Sequence, residues 1–122
     1  MKRAQRLNHF RDGLENTEKE QRAKFAAAES RAAEARARLA ELERYRDEYL
    51  RGFRRRAAGG MDATALRDYQ AFLARLGEAV TQQRAVCERV AAGRDAAREQ
   101  WLALTARRRA VGKIIEQAVD AD

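Results

Sequence analysis

From Leu66 to Ala118 the chain keeps one unbroken heptad register, with positions stepping alternately by three and four residues. The positions are Leu66, Tyr69, Leu73, Leu76, Val80, Gln83, Cys87, Val90, Arg94, Ala97, Trp101, Leu104, Arg108, Val111, Ile115 and Ala118. Only Gln83, Arg94 and Arg108 interrupt the apolar series. That spacing draws a narrow apolar seam along one side of a helix, as in a coiled-coil strand and unlike the wider apolar face of a helix on a globular core. No proline occurs anywhere in the 122 residues, so nothing forces a kink.

The first half carries a second, less regular seam. Leu7, Phe10 and Leu14 open it, Glu18 and Gln21 fall where apolar residues belong, and Phe25, Ala28, Ala32, Ala35, Leu39, Leu42, Tyr49 and Phe53 resume it, with Arg46 on one step. Between the seams stands Gly59-Gly60, the one paired glycine, and Asp62 or Thr64 then offers an N-cap. The chain is therefore expected to be all-α, a single antiparallel two-helix coiled-coil hairpin over 1–122. Helix 1 should run over about 3–57, the turn over about 58–61 and helix 2 over about 62–119. With the turn centred on Gly59-Gly60, residue i faces a residue near 119 − i. Tyr49 then meets Tyr69, Leu42 meets Leu76, Leu7 meets Val111 and Ala35 meets Gln83. The polar gap at Glu18 and Gln21 falls opposite Trp101 and Ala97.

Such a chain has no interior beyond its seam, so a closed active-site pocket has nowhere to form. His9 is the only histidine and Cys87 the only cysteine, which leaves no set with metal-ligand spacing, and Gly59-Gly60 lacks the Lys-Ser/Thr of a phosphate loop. No enzyme activity, cofactor, metal or small-molecule ligand is expected. No run of 18 apolar residues exists, Met1-Lys2-Arg3 opens no secretory signal, and Cys87 lies on the seam. A cytoplasmic protein is the expectation. Five glycines inside the helices (Gly13, Gly52, Gly77, Gly93, Gly112) each cost about 1 kcal/mol against alanine, so the hairpin should be marginal on its own.

Two surfaces stand out as places for a partner. Tyr45 and Phe72 sit one position off the seam, and the antiparallel pairing brings them to neighbouring turns of opposite helices. With Leu42, Tyr49, Leu76 and Ala79 they form a candidate aromatic-apolar docking patch, unless the rings merely widen the seam. Basic residues also cluster. Arg51, Arg54, Arg55 and Arg56 lie by the turn, and Lys2, Arg3 and Arg6 with Arg107, Arg108, Arg109 and Lys113 lie towards the other end, within a net charge of +7. These could meet an acidic protein surface or phosphates.

The string Tyr45-Arg-Asp-Glu-Tyr49, then Gly60-Met-Asp62, then Leu66-Arg-Asp-Tyr69-Gln-Ala-Phe72-Leu-Ala-Arg-Leu76, then Ala79-Val80 with Gln82-Gln83, resembles the flagellar type III export protein family FliJ. Arg98-Glu-Gln-Trp101 fits it as well. The resemblance implies a cytoplasmic stalk, peripheral to the inner membrane at the export apparatus. One end of it, here Lys2, Arg3, Arg6, Leu7, Arg107, Arg108, Arg109 and Lys113, would enter the hexameric export ATPase FliI and promote ring assembly. It also implies that Leu42, Tyr45, Tyr49, Phe72, Leu76 and Ala79 dock on the export gate protein FlhA, and that export chaperones are handled. Where family members carry a basic C-terminal tail this chain has Asp120-Ala-Asp122, so tail functions are not carried over. The injectisome stalk proteins of the YscO type are similar in outline and role. A basic hairpin gripping nucleic acid, like the arm of seryl-tRNA synthetases, is the alternative of another class. It is disfavoured because most aromatic residues lie on the seam and cannot stack on bases.

Overall fold

The computed structural model describes residues 2–121. Met1, first of the basic N-terminal segment, and Asp122, last of the Asp120-Ala-Asp122 tail, lie outside the described residues. Two helices account for the fold: α1, Lys2–Ala58, and α2, Ala63–Ala121. They pack against each other as the helical hairpin that the two seams and the paired glycine predict.

The turn is built by its sequence. The N–H of Gly60 donates to the carbonyl of Ala57 (3.2 Å) and that of Gly59 to Arg55 (3.4 Å). Gly60 holds φ at +93°, the left-handed region where a side chain would be strained. Of the two candidate caps it is Asp62 that serves: its Oδ1 accepts the N–H of Ala65 at 2.8 Å.

Burial follows the seam of α2 closely. Of its sixteen positions only Leu66, 37% exposed, is open to solvent. On α1 the seam runs through Ala4, Leu7, Arg11, Leu14, Glu18, Gln21, Phe25, Ala28, Ala32, Ala35, Leu39, Leu42, Arg46, Tyr49 and Phe53, all of them covered. This corrects the sequence reading at one point. Phe10 is not a seam residue; it stands 50% exposed, and Arg11 takes the step. Strict three-four alternation from Ala4 and Leu7 allows only position 11, and the register of a long helix overrides the preference of one side chain.

The hairpin divides into two compact units, residues 31–90 around the turn and residues 2–30 with 91–121. In the first, Ala32, Ala35, Leu76 and Val80 are buried, and the seam glutamine is satisfied across the interface: Gln83 Nε2 donates to the carbonyl of Ala35 at 3.0 Å. The pairing of Ala35 with Gln83 is as expected.

In the second unit Ala4, Leu14, Ala28, Ile115 and Ala118 are buried, and Phe25 stacks on Trp101 with centroids 5.6 Å apart. Here the expected pairing shifts. Glu18 does not face Trp101; its carboxylate takes the Thr105 hydroxyl at 3.2 Å and the Arg108 guanidinium, four and seven residues further along α2. The turn is centred slightly beyond Gly59-Gly60. In addition, helical side chains lean towards their own N-terminus, so in antiparallel helices two long ones meet only when their Cα atoms are offset. Two polar interruptions of the seams thus satisfy each other. The Arg108 hydrogen bond, ahead of the opposing effect of burial, lowers the Glu18 carboxyl below its ordinary value.

A carboxyl lowered by folding stabilises the fold above its ordinary value of 4.5, and that contribution is lost as pH falls through the lowered value. Glu18→Gln should therefore flatten the acid limb of a stability-versus-pH curve. At pH 7 it should cost about 1–3 kcal/mol by leaving Arg108 without its counter-charge in a part-buried seam. Urea unfolding of both proteins from pH 7 to pH 3 checks this.

Candidate functional site

The aromatic residues of the unit around the turn form one connected run. Tyr45 meets Phe72 edge-on with centroids 6.2 Å apart, Phe72 lies 4.6 Å from Tyr49, Tyr49 lies 5.2 Å from Tyr69, and Tyr69 lies 5.6 Å from Phe53. Five of the eight aromatic residues in the chain are in this run, including all three tyrosines. Tyr49, Phe53 and Tyr69 are seam residues, whereas Tyr45 and Phe72 each stand one position before a seam residue, Arg46 and Leu73. The heptad thus carries the run from the interface outward along one flank. Contacts at these distances between tilted or edge-on rings are individually favourable.

Exposure grades along the same line. Leu76 is buried, Leu42, Tyr49, Phe72 and Ala79 are half-buried, and Tyr45 is 50% exposed. The six residues singled out from the sequence therefore divide into a floor, Leu42, Tyr49 and Leu76, and an outer face, Tyr45, Phe72 and Ala79. Burial, ahead of the nearby Tyr69 and Tyr45, pushes the Tyr49 hydroxyl above its ordinary value. Arginines close the patch at two points. The Arg56 guanidinium sits 5.6 Å over the Tyr69 ring and donates to its hydroxyl at 2.8 Å, and Arg75 lies 6.0 Å from the Phe72 centroid. Sequence reasoning gave no part in the patch to Phe53, Tyr69, Arg56 and Arg75. The density of aromatic residues in 45–53 and 69–72 is the signal that could have found them.

Of the basic residues singled out from the sequence, Arg108 stands apart. Lys2, Arg3, Arg6, Arg107, Arg109 and Lys113 are exposed and Leu7 is half-buried on the seam. Arg108 is not available in the same way, because it turns into the seam and pairs with Glu18. Its guanidinium is held at Glu18, twelve residues beyond Arg6 along α1. Among the described residues no group of three or more His, Cys, Asp or Glu could hold a metal ion, and no helix is long and apolar enough to cross a membrane.

The patch separates packing from exposure, and stability measurements should show it. Tyr49→Ala should cost about 2–4 kcal/mol, since three rings lose their neighbour, whereas Tyr45→Ala should cost less than about 1 kcal/mol. The contribution of Tyr49 should be complete below its ordinary value of 10.0 and decline as pH rises through the raised value, and Tyr49→Phe should remove that alkaline loss.

No curated protein and no solved structure matches the chain. A family model does: the one described as flagellar FliJ protein matches residues 2–122, essentially the whole chain. The likeness carried by the tyrosine pair and the Gly-Met-Asp string thus extends along both helices, and with it comes association with the flagellar protein export apparatus. This helical hairpin belongs to the FliJ family.

Proposed function

We propose that the chain is the stalk that couples the flagellar export ATPase to the export gate. In this reading the face formed by Tyr45, Phe72 and Ala79, floored by Leu42, Tyr49 and Leu76, docks on the gate protein FlhA. The end carrying residues 2–14 and 107–121 enters the hexameric ATPase FliI and promotes its assembly, at the cytoplasmic side of the inner membrane. Export chaperones are further clients.

The observation that carries the reading is Tyr45. It is half-exposed, yet its ring is fixed edge-on against Phe72, which in turn rests on Tyr49. A large ring held ready in one orientation loses little freedom on binding, which is what an interface anchor requires. The rings are packed against one another, with Arg56 and Arg75 against two of them, which leaves few free faces for bases to stack on and suits a protein partner better. In the unit of residues 2–30 and 91–121, the exposed cations Lys2, Arg3, Arg6, Arg107, Arg109 and Lys113 suit an acidic ATPase surface. Their effect should fall mainly on the rate of encounter.

A double dissociation tests the assignment. Tyr45→Ala should weaken binding to the purified FlhA linker about tenfold or more while leaving stimulation of FliI intact. Arg107→Glu with Arg109→Glu should lower stimulation and its salt dependence while leaving linker binding intact. Both proteins should melt as the parent does. Linker binding unaffected by Tyr45→Ala would remove the docking role from the patch. If the Arg54, Arg55 and Arg56 cluster proved necessary for the ATPase instead, the polarity of the stalk would be reversed.

A further inference from the structure

The unit formed by residues 2–30 and 91–121 carries an anomaly that the coiled-coil pattern does not need. Phe10, a large aromatic, stands 50% exposed, while the next residue, Arg11, is drawn into the seam. Its Nε is buried without a hydrogen-bond partner among the described residues; the nearest carboxylate oxygen of Glu15 is 3.7 Å away. On α2 a second large apolar side chain stands outside the seam: Ile114 is 41% exposed beside Ile115, which is 6% exposed. A chain selected only to close this seam would place its large apolar side chains inside and its cation outside. Local rules broken without a gain in packing mark places where the surface is used.

Phe10 and Ile114 also belong together. Each precedes a seam residue, Arg11 and Ile115, and in an antiparallel pair such positions flank the same side of the seam. The reach of side chains across the seam here is shown by Glu18, which meets Thr105 and Arg108. Eight residues back along α1 is Phe10, and eight further along α2 are residues 113–116. Two half-exposed apolar side chains therefore share one flank at one level, with Arg3 and Arg107 on the same flank to either side.

The surroundings select the occupant. Residues 2–10 and 107–114 contain seven cations and no carboxylate, and only Arg108 is taken up by Glu18. A second copy of this chain would bring like charge against like charge. A lipid surface needs a long apolar face, and the other exposed apolar residues of this unit, Leu102 and Val119, stand elsewhere around the seam: Val119 follows the seam residue Ala118 and so lies on the opposite flank. What fits two apolar side chains ringed by cations is a small apolar pocket rimmed by carboxylates on a folded protein.

We infer that Phe10 and Ile114 are the apolar anchor by which this end of the hairpin seats in an acidic-rimmed pocket of the export ATPase. The inference rests on the proposed ATPase role and adds the residues that hold, as distinct from the arginines that steer. Removing the anchor should change the dissociation rate, whereas reversing the cations should change the association rate and its dependence on salt.

The test uses the full chain and purified FliI. Phe10→Ser with Ile114→Ser should keep the melting temperature of the parent, because neither side chain lies in the seam. It should raise the dissociation rate tenfold or more and leave the salt dependence of association unchanged. Leu102→Ser, equally exposed in the same unit, should bind as the parent does. Binding of the double variant within twofold of the parent would overturn the inference while leaving the ATPase role standing. A parent chain that does not bind FliI at all would overturn both. Binding to vesicles of phosphatidylethanolamine and phosphatidylglycerol that is lost in the double variant, with FliI binding retained, would overturn it in favour of a lipid surface.

Discussion

The alternation of three and four residues along each seam is the constraint on which everything else in this protein depends. A two-helix hairpin has no core apart from that line of contact. Small departures from the register would turn each side chain by a large angle around the helix, and the fold tolerates awkward residues on the line sooner than a break in it. Arg11, Glu18, Gln21, Arg46, Gln83, Arg94 and Arg108 all stand on seam positions for this reason. What faces a partner is then decided as well, because among the described residues every fully buried side chain stands on the line and a residue one step off it keeps part of its surface open.

Polar residues on the line are not equivalent. Gln83 and Arg108 bond across the interface, to the Ala35 carbonyl and the Glu18 carboxylate. Arg108 finds a carboxylate on the facing seam in this alignment alone, so its bond lowers stability relative to an apolar pair but disfavours slipped pairings, whereas the backbone acceptor of Gln83 selects less sharply. Arg94 pairs only with the adjacent Asp95 and contributes nothing of this kind. Apart from the exposed Arg84–Glu43 and Arg56–Tyr69 contacts, each compact unit has a cross-helix polar lock within the seam, and each also presents one aromatic side chain outward, Tyr45 in one and Phe10 in the other.

Much of this was legible in the residues. Period, absence of proline and Gly59-Gly60 gave the hairpin, and the off-seam positions of Tyr45 and Phe72 gave the patch. Two things were not. At the start of α1 the apolar character of Phe10 outweighed its position, since a reading that looks for apolar residues fills the step with the nearest one; the register that decides the matter is held by Ala4, a residue too small to draw attention. The pairing of Glu18 with Arg108 is not legible in the residues, because backbone level alone does not fix which long side chains meet. Long side chains leaning towards their own N-termini shift that match by up to two turns. The further extent of the aromatic run, to Tyr69 and Phe53, depends on distances across the seam that spacing along one helix does not contain.

The register at the start of α1 can be measured directly by thiol labelling. In a Cys87→Ser background, single cysteines at positions 4, 7, 10, 11 and 14 would be exposed in turn to a maleimide. The seam described here predicts rapid labelling at position 10 and slow labelling at 4, 7, 11 and 14, with the slow rates rising only when the hairpin is unfolded in urea. Protection at position 10 together with rapid labelling at position 11 would contradict it, and would place Phe10 in the core.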